Sequence, residues 1–245
     1  MRLHVVLEAN KLTIPVQYEQ IMQGVIYRSL SNPKLTSFLH DSGFQYNKRS
    51  FKMFTFSKLL GAGAYDRETR KLTFDGELKW QVSSALPAFI HDLGQALLLE
   101  PSLQLHQQDI LVKEVTYRNP TITSATCKIK MLSPITVAST YVGQDGKKLT
   151  HFFAPDDLAF SHMVKENLLR KYTAFTGETR TDDFVIRPLS VSRQHKVVTK
   201  FKGTIINAWG GIYEVQSTPR MLTFAHQVGL GSRNSAGFGL FELLA

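Results

Sequence analysis

One stretch constrains this chain more than any other: Gly229-Leu230-Gly231-Ser232-Arg233-Asn234-Ser235-Ala236-Gly237-Phe238-Gly239. Two Gly-x-Gly pairs enclose a polar loop that carries a single arginine. A helix-like segment, Pro219 to Val228, leads into it, and a short apolar strand, Leu240 to Leu244, leads out. Glycine takes positive φ without strain and admits a second backbone at close range. The stretch is therefore either a tight helix-to-strand turn or a loop whose successive N–H groups cup an anion, with Arg233 as a planar phosphate donor. It is not a Walker loop, because the Lys-Ser/Thr pair is missing. It also follows a helix, whereas a dinucleotide fingerprint follows a strand.

The remaining punctuation divides the chain into two similar halves. Leu3 to Ala9 reads as a strand and Thr13 to Gln17 as a turn. Tyr18 to Leu30 repeats apolar residues at spacing four and reads as a helix. Ser31-Asn32-Pro33 then caps a second helix that ends near His40. Phe44 to Arg49 reads as a polar, basic loop. Phe51 to Leu59 and Lys71 to Ser84 read as paired strands, Pro87 to Leu99 as a helix and Asp109 to Arg118 as a strand. After Asn119-Pro120 the order repeats. Ala125 to Thr136 is a strand, followed by a hairpin arm turning at Gly143 to Lys147. Asp156 to Phe175 is the longest helix, with Asp156 or Asp157 as its cap. Phe184 to Pro188 and Lys196 to Glu214 supply strands. The expected class is α+β, with two tandem ferredoxin-like (RNA-recognition-motif-like) domains over 1–119 and 120–245.

Charge narrows the partner. The formal net charge is +9 over 245 residues, which favours a polyanion. Cys127 is the single cysteine, so neither an intrachain disulfide nor a zinc cluster is expected. No run of about 18 apolar residues marks a membrane span. The first residues lack a signal-peptide pattern, and the expected location is cytoplasmic.

The glycine stretch, written VGLGSRNSAGFGLFEL, resembles the C-terminal signature of the CRISPR repeat-processing endoribonucleases, members of the repeat-associated RNA-binding superfamily. Three N-terminal fragments also resemble that family: QGVIYRSL, NPKLTSFLHDSG and FKMFTFS. LSPITV, Leu132 to Val137, resembles a further family segment. The resemblance implies a metal-independent RNA-cleaving site made by Tyr27 on the first helix, His40 at the end of the second, and Lys52 opening the next strand. Lys48 or Arg49 is an alternative to Lys52. The implied activity is cleavage of precursor CRISPR RNA within its repeats, by attack of a 2′-hydroxyl, giving 2′,3′-cyclic phosphate and 5′-hydroxyl ends. The rival is a repeat-RNA-binding subunit that does not cut.

These residue types suit that chemistry. Histidine exchanges protons near neutral pH, and a helix C-terminus favours its cationic form, as a general acid requires. An unperturbed phenol is a poor base, so Tyr27 is assigned to orienting the 2′-hydroxyl. Lys52 would offset developing negative charge. RNA contacts are expected from Lys48, Arg49, Lys58 and Arg67, and from Arg187, Arg193, Lys196, Lys200, Lys202 and Arg233. Gly229, Gly231, Gly237 and Gly239 would admit the RNA backbone. Lys196, Lys200 and Lys202 would share one strand face.

The other histidines show no ligand spacing such as H-E-x-x-H. The pairs Asp156-Asp157 and Asp182-Asp183 read as helix caps and solvated loops, since neither has a third carboxylate. No metal and no cofactor are expected. The expected partner is CRISPR repeat RNA, with a CRISPR effector complex a further candidate and no membrane. The protein would be a monomer or homodimer.

Overall fold

The computed structural model describes residues 1–244. The first half runs β1 (Arg2–Pro15), α1 (Glu19–Ser29), α2 (Pro33–Ser37), β2 (Phe44–Tyr46), β3 (Arg49–Phe51), β4 (Phe54–Phe56), β5 (Gly63–Asp66), β6 (Lys71–Ser84), α3 (Pro87–Leu99), β7 (Ser102–Leu105) and β8 (Gln108–Arg118). Its antiparallel sheet is ordered β4-β6-β1-β8-β7, with β5 also on β6. Taking β1, β4, β6 and β8 as the four principal strands gives the order 2-3-1-4, that of a ferredoxin-like sheet. Strand β1 is central because its inward residues are all apolar: Leu3, Val5, Leu7, Leu12 and Ile14 are at most 1% exposed. Each such side chain stabilises the fold by roughly 1.5–3 kcal/mol through burial.

The second half runs β9 (Thr126–Met131), β10 (Ala138–Val142), β11 (Lys148–Phe152), α4 (Leu158–Thr176), β12 (Phe184–Ser190), β13 (Lys196–Phe201), β14 (Thr204–Trp209), β15 (Ile212–Ser217), α5 (Pro219–Val228) and β16 (Phe241–Leu244). Its main sheet is ordered β12-β15-β9-β16, again 2-3-1-4, and β10–β11 and β13–β14 are separate hairpins. The α+β class and the doubled ferredoxin-like order therefore hold.

Several local expectations change. Strand β1 does not turn at Thr13; it continues to Pro15 through a bulge between Ala9 and Leu12, where Lys11 has φ 56°. The supposed loop Phe44 to Arg49 lies within the hairpin β2–β3, turned at Asn47 with φ 52°. Phe44 pins that hairpin by packing edge-on to Phe38 and Phe175, each 5.2 Å away between ring centres. The single strand read from Phe51 is broken at Met53, whose φ is 55°. The residues 196–209 form their own hairpin, and only β15 joins the main sheet. Strand β9 ends at Met131, so Leu132 to Val137 is an irregular connection. Asp157 is the residue at the start of α4, but its carboxylate turns back to accept from the Ala154 N–H at 2.6 Å.

The two sheets are joined by Arg2. Its guanidinium is buried and donates to the carbonyls of Phe241 at 2.7 Å and His226 at 3.0 Å, linking β1 to β16 and α5. Ser83 on β6 donates to the same His226 carbonyl at 3.0 Å. Burial, with the charge of Arg2 beside it, pushes the His226 imidazole down to about 2 from its ordinary 6.5. Between these two values the unfolded chain binds a proton that the folded chain does not, so stability falls as pH drops below 6.5. At pH 5 His226 should destabilise the fold by about 2 kcal/mol relative to pH 7. Denaturant titrations at the two pH values, with His226→Gln alongside, check this; equal pH slopes in both proteins would refute it.

Candidate functional site

The glycine stretch lies in the seam between the two sheets. Gly229, Gly231, Gly237 and Gly239 are all buried with φ of 79°, 68°, 82° and 80°. A side chain at Gly231 would stand 2.5 Å from the Thr136 carbonyl, one at Gly237 2.6 Å from the Phe56 ring, and one at Gly239 2.0 Å from the Leu230 carbonyl. The connection Leu132 to Val137 receives the loop: Gly239 N donates to Pro134 O at 3.0 Å, Ser232 N to Thr136 O at 2.9 Å and Leu240 N to the Ser133 hydroxyl at 3.0 Å. Asn234 donates to the Leu230 and Phe238 carbonyls, each at 3.0 Å. Sequence reasoning missed the central prop. Lys171 on α4 is buried, and its Nζ donates to Gly229 O at 2.9 Å and Gly231 O at 2.8 Å. Burial lowers its amine to about 7. A lysine on the mostly apolar buried stripe of α4, which also holds Asn167, was the only sequence signal for it. The glycines thus make room for protein backbone and side chains, while Arg233, with φ 58°, is exposed at the tip.

Tyr27, His40 and Lys52 come together in one pocket of about 540 Å³, with Gln23, Arg28, Lys202 and Ser235 also on its walls. On helix α1, Gln23 and Tyr27 lie at spacing four and share a face. Gln23 donates to the glycine-loop carbonyl of Ser235 at 2.6 Å, and Tyr27 packs edge-on to His40, 5.5 Å between ring centres. Phe54 supports Tyr27 from below at 6.0 Å. Burial, with the Asp41 charge secondary, pushes the Tyr27 phenol up to about 12.

His40 does not end a regular helix. Helix α2 stops at Ser37, and a widened turn, Phe38–Ser42, closes where Gly43 N donates to Phe38 O five residues back. Asn32 caps α2 by accepting from Leu35 N at 3.1 Å, as expected. Asp92 on α3 holds the same corner by accepting from Ser31 N and Asn32 N at 3.1 and 3.2 Å. The His40 side chain is 67% exposed and lines the pocket, and its Nδ1 lies 2.7 Å from Asp41 Oδ1, a contact that does not involve Nε2. Asp41 was not anticipated; its only signal was adjacency to His40.

Lys52 does not open a strand. It lies in the break between β3 and β4, and its Nζ donates to the His40 carbonyl at 3.0 Å. Partial burial lowers its ammonium pKa, and Asp41 partly offsets this. Lys48 is at the β2–β3 turn, beside Glu166 and Arg170, outside the Tyr27 pocket. Arg49 lines a neighbouring pocket that shares the Lys52 and Ser235 walls.

The remaining basic candidates separate. Lys196 and Lys200 share an exposed face of β13, with Lys196 Nζ 5.8 Å from the centre of the Trp209 ring. Lys202 leaves that face because β13 ends at Phe201 and Lys202 has φ 47°; it turns into the Tyr27 pocket instead. Lys58 is engaged by the buried carboxylate of Glu19 and is not free. Arg67, Arg187 and Arg193 are exposed, in the β5–β6 turn, on β12 and in the turn before β13. Burial raises the Cys127 thiol pKa on β9. Among the described residues, no three His, Cys, Asp or Glu side chains converge as metal ligands. Asp182 pairs with Arg180 and Asp183 with Lys165. No helix among them is long and apolar enough to cross a membrane.

Two family models match nearly end to end: "CRISPR-associated protein Cas6, N-terminal" over residues 13–116 and "CRISPR associated protein Cas6, C-terminal" over residues 117–243. The chain belongs to the Cas6 family. Among curated Cas6 relatives, "CRISPR-associated endoribonuclease Cas6 1" of Methanocaldococcus jannaschii is 26% identical, over 98% of this chain and 91% of that protein. "CRISPR-associated endoribonuclease Cas6" of Pyrococcus furiosus is 27% identical, over 94% and 83%. The fold matches the structure described as "Characterization of a Cas6-related gene from Pyrococcus furiosus" with TM-score 0.86, 18% identity, and 100% and 98% coverage. It matches "An RAMP protein binding different RNA substrates" with TM-score 0.83, 19% identity and full coverage of both chains.

In this Cas6 fold the glycine loop should tolerate change only at its tip. Gly239→Ala should cost at least about 2 kcal/mol, a Tm fall of roughly 4–8 °C, because the added carbon meets Leu230 O. Arg233→Ala should leave Tm within about 2 °C of the parent, as expected for an exposed side chain without partners among the described residues. Thermal melts of both variants test the pair; a stable Gly239→Ala protein would refute the packing argument.

Proposed function

We propose that this Cas6 family member is an endoribonuclease that cuts precursor CRISPR RNA within its repeats, without metal, leaving 2′,3′-cyclic phosphate and 5′-hydroxyl ends. The observation that carries the reading is the meeting of Tyr27, His40 and Lys52 in one pocket. It is supported by the relatives named as CRISPR-associated endoribonucleases.

RNA carries its own nucleophile, so the protein must position it, protonate the leaving oxygen and offset charge. The scissile phosphate lies between Lys52 and His40. Lys52 stabilises the oxygens of the phosphorane. Asp41 holds His40 Nδ1, so Nε2–H donates to the departing 5′-oxygen as the P–O bond breaks. Tyr27, a phenol up to about pH 12, orients the 2′-hydroxyl and does not deprotonate it; the 2′-hydroxyl proton passes to solvent water as its oxygen bonds to phosphorus. Lys202 and Arg28 face the same pocket and hold flanking phosphates. Arg49, Lys196, Lys200 and Arg233 extend the basic path, and Lys48 is peripheral to it.

In single-turnover assays with repeat RNA, His40→Ala should slow cleavage by about 10²–10⁴-fold with little change in affinity. A 2′-deoxy ribose on the 5′ side of the cut should be bound and left whole. EDTA should not affect the parent. Parent-like cleavage by His40→Ala, or activity that needs restored magnesium, overturns the mechanism. Binding without any cleavage by the parent would instead identify an RNA-binding subunit.

Arg233→Ala should weaken binding at all salt concentrations, with the slope of log affinity against log salt smaller in magnitude by about 0.7–0.9, the loss of one phosphate contact. An unchanged slope means that Arg233 does not reach the RNA.

A further inference from the structure

Beside the Tyr27 pocket lies a second one, of about 280 Å³, that shares the Lys52 and Ser235 walls. Its floor is a pair from α4 at spacing four, Asn167 and Lys171, which share a helix face. Asn167 is only 9% exposed, and its Oδ1 is fully buried with no hydrogen-bond partner. Such an orphan is destabilising unless something fills the site. Lys171 spends two N–H groups on the glycine loop and, in its protonated form, has a third left. Phe51 and Val228 supply apolar wall, while Arg49 and Arg233 stand at the rim.

We propose that this pocket is a nucleobase subsite: a base turned out of the RNA strand next to the cut enters between the β2–β3 hairpin and the glycine loop. The buried acceptor decides the ligand class. Asn167 Oδ1 has no accessible surface as it stands and meets a ligand once the side-chain amide turns toward the pocket; it then needs an N–H donor, which a phosphate does not offer and a base edge does. The adjoining Lys171 N–H needs an acceptor, and base edges carry donor and acceptor side by side. Unpaired bases are read in this way, by edge hydrogen bonds with an apolar surface against the ring. The cations at the rim meet the phosphates of the same nucleotide. The subsite adds base selection near the cleavage position and rests on the nuclease reading above.

The test uses the full chain and an uncleavable repeat RNA whose 2′-hydroxyls are replaced by fluorine. Each nucleotide in turn is made abasic, and affinity is measured for the parent and for Asn167→Leu. Leucine keeps the volume and removes the hydrogen bond, so Tm should hold or rise. Affinity for intact RNA should fall about tenfold, the loss of one good edge contact. At one nucleotide the abasic change should weaken the parent by a similar factor and the variant no further. Asn167→Ala gives the same comparison should the leucine variant fail to fold. Unchanged affinity, or no nucleotide whose effect is lost in the variant, overturns the subsite. RNA that is bound with this coupling but not cut in its 2′-hydroxyl form sinks the nuclease reading alone. Failure to bind any repeat RNA sinks both.

Discussion

The architecture depends on one close packing: a backbone loop pressed into the seam between two sheets, with an amine in its centre. Lys171 donates to the carbonyls of Gly229 and Gly231 from inside the protein. A buried ammonium is costly to desolvate, which is why burial brings this amine down to about 7. A neutral amine still has two hydrogens to donate, so the loop carbonyls are satisfied in either protonation state. Four left-handed glycines allow the loop to lie against Thr136, Phe56 and its own Leu230 without a side chain between them. Any Cβ there separates the layers.

That seam sets the position of the pocket residues. Met53, in the left-handed region, sends its side chain into the second core, while Phe54 and Phe56 enter the first. The chain is therefore fixed on both sides of the break that carries Lys52. Gln23 ties α1 to the glycine loop at Ser235, one turn before Tyr27. Asp92 and the widened turn after α2 bring His40 over the same ground. His40 and Lys52 thus stand on short irregular segments anchored by regular elements, and Tyr27 on a helix tied down at Gln23, which holds geometry more tightly than a free loop does.

The charge distribution follows the same plan. The cations of the seam face outward along two adjoining pockets, and among the described residues no carboxylate lines either of them. Acidic side chains nearby are spent elsewhere: Glu19 on Lys58, Asp92 on the α2 corner and Asp41 on His40. Apart from the Asp41–His40 pair, the surface left over offers a polyanion donors that no internal ion pair engages.

Much of this was legible in the sequence. Periodicity and punctuation determined the doubled strand–helix order, since apolar alternation in β1 and spacing-four repeats in α1 reflect local geometry. The glycine pairs and the fragments around Tyr27, His40 and Lys52 pointed to the Cas6 family by their residue pattern. What stayed hidden depends on contacts distant in the chain. The bulge that carries β1 past Asn10, the break at Met53 and the separate β13–β14 hairpin are decided by pairing partners many residues away. Lys171 and Asn167 read as ordinary polar positions of a long helix until α4 is packed under the loop. The glycines themselves looked equally suited to a ligand or to a turn. Only the tertiary structure shows protein atoms in the space a side chain would take, because steric exclusion is a property of what surrounds a residue and not of the residue itself.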